Sequence, residues 1–308
     1  MSIQVILNPY ANRWQAQQQI ESVTAVLNQL QRPFTLTPTT HPQHAIDLAE
    51  TAVRAGCEMI VASGGDGTIN EVVNGLLRAT PAEATTIPFG IIPLGSANDF
   101  SLMAGLPLTI ANSVSLLAGG HTRPIDVGLV TVGGQDAALH RYFVNNSAVG
   151  MEPMVTLENI RMKRLRGELR YMVALLRALL KLRAWQMDIA GDGLNYSGPV
   201  YLLSICNGPR TGGFMMAPTA SIDDGCFDLV FAPEVAKTTV LAILLRLLRG
   251  THVHHAAVTY IPATSLTIHS QPGTPIHTDG ELIGEAETAV TYRLLPGKLN
   301  LICAKSGA

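Results

Sequence analysis

A chain of 308 residues is about two domains' worth of sequence, and its 47% hydrophobic content is ample for a core in each. Charged residues make up only 14% and the formal net charge is −2, so no whole-molecule field favours nucleic acid as a partner, and any basic patch must be local. No run of about 18 uncharged apolar residues is present to span a bilayer as a helix.

The first 120 residues alternate between two periodicities. "IQVILNP" at 3 to 9 is a continuous apolar run ending in Asn-Pro, which suits a strand buried on both faces. Residues 14 to 30 are expected as a helix, and "FTLTPTT" as a second strand. Ala45, Leu48, Ala49, Ala52 and Val53 then fall on one face of a helix that Gly56 can close. "EMIVAS" is a third strand, Ile69, Val72, Val73, Leu76 and Leu77 form the next helical stripe, and "TIPFGIIPLG" is another buried strand. Such alternation predicts a doubly wound α/β domain on a parallel sheet, Rossmann-like in type, with its ligand beyond the carboxyl ends of the strands.

After "RPIDVGLV" the texture changes. "RYFVNNSAVG", "GPVYLLSICN", "CFDLVFAP", "SLTIHS" and "AVTYRLL" are strand-like pieces between Gly, Pro and Asp turns, with two clear helices among them. This predicts an antiparallel β-rich sandwich domain. The expected division is 1–123 for the α/β domain and 124–295 for the β-rich one, with 296–308 left open as a return to the first. Cys57, Cys206, Cys226 and Cys303 lie far apart without metal-ligand spacing, and no secretory leader precedes the first strand, so reduced thiols and a cytoplasmic location are expected.

"VASGGDGTINEVVNGL" at 61 to 76 places three glycines and an aspartate at a strand-to-helix junction. A turn without side chains lets backbone N–H groups and the positive end of a helix approach a phosphate. Neither the Lys-Ser/Thr of a P-loop nor a dinucleotide fingerprint follows. An aspartate there would repel bare phosphate, which points to a magnesium-nucleotide complex. The alternative is a tight turn with Thr68 as the cap of the next helix.

The match is longer than this turn. "SGGDGTINEVVNGL", "IPLGSANDF" (92 to 100), "NGPRTGGFMMAPTASIDDGCFDL" (207 to 229) and "DGE" (279 to 281) resemble, in order and spacing, the diacylglycerol kinase catalytic-domain family. That family includes bacterial lipid kinases and, more distantly, sphingosine and ceramide kinases. The resemblance runs from "ILNP" to "LPGKL" and implies ATP with Mg²⁺ as cofactor and a lipid as substrate. Gly64, Gly65, Asp66, Gly67, Thr68 and Asn70 inherit the ATP-binding role. Ser96 stands where the family usually has threonine and keeps a hydroxyl there. Thr39 matches a family threonine near the nucleotide, whereas "NPYANR" departs from the usual Asn-Pro-Ser-Gly, so 10 to 13 carry no assignment.

Phosphoryl transfer to an alcohol needs a carboxylate to accept the proton. The resemblance gives that role to Glu281, with Asp279 orienting it or reaching magnesium through water, and counts Asp66 with the catalytic carboxylates. From the residues alone, Asp-Gly-Glu is favoured as a common hairpin turn, and the order of the motifs reverses that preference. "ASIDDGCFD" resembles the segment that holds a structural Mg²⁺ or Ca²⁺ in bacterial relatives, through Asp224 and the carbonyls of Ser221 and Cys226; a solvated acidic turn is the alternative.

Two helices are amphipathic and basic. One, at 166 to 183, carries Leu169, Met172, Val173, Leu176, Leu179 and Leu180 opposite Arg166, Arg170, Arg177 and Lys181. The other, at 237 to 250, carries Leu241, Leu244, Leu245 and Leu248. Covering their own sheet is the favoured explanation, with peripheral contact at the inner membrane face and a homodimer left open. His252, His254 and His255 are expected at the surface in a strand-like alternation, and Gly212-Gly213 in a loop that packs closely.

The expected function is an ATP-dependent lipid kinase acting on a hydroxyl of a diacylglycerol-like lipid. The alternatives are an NAD-kinase-like enzyme, a sphingoid or polyprenol kinase, and a lipid-binding regulator without catalysis.

Overall fold

The computed structural model describes residues 2–133, 138–161, 173 and 177–305, the side chains of 159–161 excepted. The chain forms two compact units, one made of the residues up to Val127 and from Leu295 onward, the other of Gly128–Leu294.

In the first unit, β1 (Ile3–Leu7), β2 (Phe34–Pro38), β3 (Met59–Gly64) and β4 (Phe89–Pro93) form a parallel sheet in the order β2-β1-β3-β4. Past β4, Leu301 pairs in parallel with Phe89, so the C-terminal strand extends this sheet. The buried runs "VIL" and "MIVASG" meet water on neither face, as their unbroken apolarity predicts. Val23 and Leu27 of α1 (Ile20–Leu27) and Val114 and Leu117 of α5 (Ile110–Gly119) pack on Val5, Leu7, Val61 and Ile92. The helix expected over 14 to 30 is broken: a 3-10 turn (Gln15–Gln19) precedes α1, and another (Asn28–Leu30) follows it.

α2 (His44–Arg54) begins without a side-chain cap of its own. The Glu71 carboxylate, from α3 (Asp66–Ala79), accepts the amides of Gln43 and Ala45 at 2.9 and 3.2 Å and serves as that cap from outside. Ile69, Val72, Val73, Leu76 and Leu77 of α3 are all buried, as the stripe predicts.

In the second unit antiparallel pairing dominates. β7 (Leu194–Cys206) pairs first with β6 (Trp185–Gly191), then with β5 (Asn146–Gly150) and β8 (Phe227–Pro233). β9 (Ser265–Thr278) pairs β6 with its first half and β5 with its last three residues. Strands that change partners along their length wrap a sheet around one core, here Trp185, Met187, Phe143, Phe227, Ile276 and Tyr292. Phe143 and Phe227 stack at 5.6 Å.

Several expectations change. "RYFVNNSAVG" is two strands, Leu139–Phe143 and Asn146–Gly150, because the chain turns at Val144-Asn145. A helix at Met151–Arg161 has too weak an apolar period to show in the sequence; Pro153 is tolerated in its first turn. Of the stripe expected at 166 to 183, Leu169, Met172 and Leu176 lie outside the described residues; Val173 and Leu179 are half-buried and Leu180 is exposed. In helix Lys237–Leu247 the covered face is Val240, Ile243, Leu244 and Leu247, while Leu241, Leu245 and Leu248 are 56, 59 and 61% exposed. The segment is apolar almost all round, so sequence could not choose its inner face. His252 is buried in a 3-10 turn, not exposed in a strand, with Nε2 2.9 Å from the Met216 carbonyl. At Gly213 a Cβ would meet nothing, so its positive φ, not close packing, calls for glycine.

All four cysteines are free thiols. Among the described residues no helix is long and apolar enough to cross a membrane.

Candidate active site

The strand order reverses between β1 and β3, and open α/β sheets bind ligands beyond the carboxyl ends at such a point. Two loops leave the sheet there. Asn8 follows β1, its amide bonded to the Ser63 carbonyl at 2.9 Å, and its Nδ2 donates to the Thr68 hydroxyl at 3.0 Å. This bond ties the loop after β1 to the first turn of α3. That turn presents backbone N–H groups that the helix itself does not use, at the positive end of its dipole.

The glycines have an internal reason as well. A Cβ on Gly95 would lie 2.5 Å from the Gly65 Cα and 2.6 Å from Asn98 Oδ1; one on Gly64 would strike the Thr68 side chain. The two motifs therefore touch backbone to backbone. Asn98 closes the second loop on itself, accepting from the Gly95 amide and donating to the Gly95 carbonyl, both at 3.0 Å. Gly95→Ala is expected to force the loops apart, lowering stability by about 1–3 kcal/mol and weakening nucleotide binding together. Thermal unfolding and nucleotide titration of one sample check this; an unchanged midpoint would contradict the contact.

Asp66 opens α3 and joins these loops. Its carboxylate accepts the amides of Asp99 and Phe100 at 3.2 and 2.9 Å, at the start of α4 (Asp99–Met103). Burial pushes its carboxyl above the ordinary aspartate range, the Phe100 amide pulls it back, and the nearby Asp99 charge adds to the rise. Each carboxylate oxygen retains a second lone pair. Thr39, Thr68 and Asn70 are buried, and Asn74 Nδ2 donates to the Asn70 carbonyl and side-chain oxygen at 2.9 and 3.2 Å. Ser96 is exposed at the tip of the second loop.

The "DGE" stretch lies in the second unit and is a hairpin turn. Thr278 pairs with Glu281, and Asp279-Gly280 form a two-residue loop with φ of 47° and 82°, the geometry of a type I′ turn. Asp279 does more than turn the chain: its Oδ2 accepts the Val144 amide at 3.0 Å, and its Oδ1 accepts those of Asn145 and Asn146 at 2.9 and 3.0 Å. Asp279→Ala is expected to strand these three donors and cost about 3 kcal/mol, whereas Asp279→Asn, which keeps an acceptor and tolerates positive φ, should cost less than half of that. Chemical denaturation reads the difference, and equal stability of the two variants would refute the anchor.

The turn is also held from below. The Gly280 amide donates to His277 Nδ1 at 3.3 Å, and His277 Nε2 lies 3.2 Å from Glu152 Oε1. The same oxygen accepts from Asn146 Nδ2 at 2.8 Å and from the Thr211 hydroxyl at 3.3 Å. Burial tends to raise the Glu152 carboxyl, but His277 and the hydrogen bond from Asn146 outweigh it and hold it below the usual range. Asn8, Asn98, Asn146, Glu152 and His277 were not singled out in the sequence. Asn98 and His277 sit within or beside the motifs, whereas Asn146 and Glu152 gave no signal because their partners are far away in the chain.

Asp224 lies in an exposed turn, its Oδ1 accepting the Cys226 amide at 3.2 Å, and Ser221 donates to Asp223 at 2.6 Å. The Asp224 charge reaches Asp228, whose carboxyl is raised first by burial and then by that neighbour. Among the described residues no three His, Cys, Asp or Glu side chains cluster as metal ligands. A site built from one carboxylate and carbonyls would not form such a cluster.

The family model for the diacylglycerol kinase catalytic domain matches residues 2–130, and that for the YegS C-terminal NAD kinase beta sandwich-like domain matches 146–303. The diacylglycerol kinase of Bacillus subtilis (strain 168) is 30% identical over 283 residues, 91% of this chain and 89% of the relative. That of Staphylococcus haemolyticus (strain JCSC1435) is 32% identical over 241 residues, 77% of this chain and 69% of the relative. Among solved structures, a diacylglycerol kinase from Bacillus anthracis str. Sterne superposes with a TM-score of 0.76 at 23% identity, covering 100% of this chain and 98% of that one. Yeast NADH kinase complexed with NADH superposes at 0.57 and 10% identity, covering 100% and 84%, a likeness of fold alone. The chain belongs to the diacylglycerol kinase family, with the two-domain fold expected from the sequence. It is a kinase, an enzyme that transfers a phosphoryl group to an alcohol.

Proposed function

We propose that this kinase transfers the γ-phosphoryl group of ATP, as its magnesium complex, to a hydroxyl of a diacylglycerol-like lipid. The observation that carries the nucleotide half is the Asn8–Thr68 bond across the β1/β3 reversal, which sets the first turn of α3 at the place where an α/β sheet takes a phosphate. Gly64, Gly65, Gly67, Thr68 and Asn70 form or support the phosphate loop, with Ser96 and Thr39 on neighbouring strand ends. The raised carboxyl of Asp66 and its free lone pairs suit a hard cation, which would stabilise the ionised form. Magnesium bound with the nucleotide would neutralise charge on the phosphates during transfer.

In the second unit Glu281 accepts the proton of the acceptor hydroxyl, and Asp279 is its positioning residue through the turn that it anchors. Asp224, with the carbonyls of Ser221 and Cys226, would hold a structural Mg²⁺ or Ca²⁺ by oxygen alone; the repulsion between Asp224 and Asp228 is what a cation there would relieve. Exposure of Leu241, Leu245 and Leu248 beside Lys237 and Arg246 supports contact with an anionic bilayer.

The test is transfer of radiolabelled γ-phosphate from ATP with magnesium to diacylglycerol in mixed micelles, with sphingosine, a polyprenol and NAD in parallel. Labelled phosphatidic acid is the expected product. Label on NAD alone would overturn the proposal, and label on sphingosine or the polyprenol alone would keep the chemistry and replace the acceptor.

A further inference from the structure

Within the second unit, a closed ring of contacts holds both central residues of the Asp279-Gly280 turn. Asn146 is its hub. The Asn146 carbonyl accepts the Asp279 amide at 2.8 Å, its own amide donates to Asp279 Oδ1 at 3.0 Å, and its side chain donates to Glu152 Oε1 at 2.8 Å. That oxygen lies 3.2 Å from His277 Nε2, and His277 Nδ1 accepts the Gly280 amide at 3.3 Å, which returns the ring to the turn. Asn146 and His277 are each 1% exposed, so water is not at hand to replace these bonds.

The direction of these bonds fixes the tautomer of the imidazole. A ring nitrogen that accepts an N–H carries no proton of its own, so the proton of His277 sits on Nε2, toward the Glu152 carboxylate. The other tautomer would set donor against donor at Gly280. Glu152 thus selects the ring's tautomer, and the ring in turn holds the Gly280 amide. Asp279 has other anchors, since three amides converge on its carboxylate. Gly280 has no side chain, and a two-residue hairpin turn leaves the N–H of its second central residue outside the strand ladder. We propose that His277, oriented by Glu152, is a positioning residue for Glu281: it fixes the Gly280 amide and so the direction in which the chain leaves the turn and presents the Glu281 carboxylate. The Thr211 hydroxyl donates to the same Glu152 oxygen at 3.3 Å, which ties the Gly212-Gly213 loop to this support. The assignment rests on the lipid-kinase proposal above, in which Glu281 takes the acceptor's proton.

Two substitutions separate this role from mere packing. Asparagine puts its side-chain oxygen near the place of Nδ1, and glutamine puts its terminal amide near that of Nε2. His277→Asn therefore keeps an acceptor for Gly280, whereas His277→Gln keeps a partner for Glu152 and gives up the Gly280 bond. With diacylglycerol in mixed micelles, ATP and magnesium, His277→Gln is expected to lower kcat about tenfold, with KM for ATP and for the lipid each within about twofold. His277→Asn should stay within about threefold of the unaltered kcat. Adding Glu152→Gln to His277→Gln should lower kcat by less than about twofold more, because the two side chains act through one contact. Equal losses for His277→Asn and His277→Gln, or a loss confined to KM for ATP, overturn the positioning role and leave the lipid-kinase proposal standing. Absence of transfer to every lipid by the unaltered protein overturns that proposal and this one with it. Should the variants fail to fold, nitrogen NMR of the histidine side chains in the unaltered protein decides: a proton on Nε2 of His277 is expected, and a proton on Nδ1 overturns the assignment.

Discussion

Asp66→Asn is expected to reduce phosphoryl transfer about a thousandfold with little change in stability. The variant keeps an oxygen for the Phe100 amide, the shorter of the two bonds that tie the glycine loop to the start of α4, so the loops stay joined. What it loses is the negative charge. If that charge holds the nucleotide's magnesium, several kcal/mol of transition-state stabilisation go with it, and about 1.4 kcal/mol accounts for each factor of ten. Asp66→Ala should behave differently. It strands the amides of Asp99 and Phe100, so a loss of about 1–3 kcal/mol in stability accompanies the loss of rate. Single-turnover transfer and thermal unfolding on the same preparations separate the two effects. Near-normal turnover of Asp66→Asn would remove Asp66 from the chemistry and leave it as a link between loops.

The second large effect is expected at Glu281. Glu281→Gln should lower kcat by about 10²–10⁴, the usual contribution of a positioned general base, while nucleotide affinity stays within about twofold. Glutamine is isosteric and retains the strand pairing with Thr278, so the hairpin should survive. Collapse of ATP affinity would place Glu281 with the nucleotide instead of the acceptor. An unchanged kcat would return "DGE" to the status of a turn.

How much of this was legible in the sequence depended on the range over which each residue acts. Unbroken apolar runs such as "VIL" and "MIVASG" announced strands covered on both faces, and the stripe from Ile69 to Leu77 announced the helix after the glycines, because these patterns report their surroundings one residue at a time. Helix Lys237–Leu247 defeated the same method. It is apolar almost all round, so no stripe marks which leucines face water.

By itself, then, the sequence determined the class of the two domains, the four ordered motifs and the family to which they belong. Tertiary structure alone decided what most motif residues touch. Asp279 is held by amides about 135 positions away in the chain, Gly65 lies against Gly95, and Glu152 is gripped by Asn146 and His277. The physical reason is common to all three. A local pattern records the periodicity of burial along one element, whereas a hydrogen bond or a backbone contact between distant loops depends on strand order and register, which no short stretch of sequence encodes.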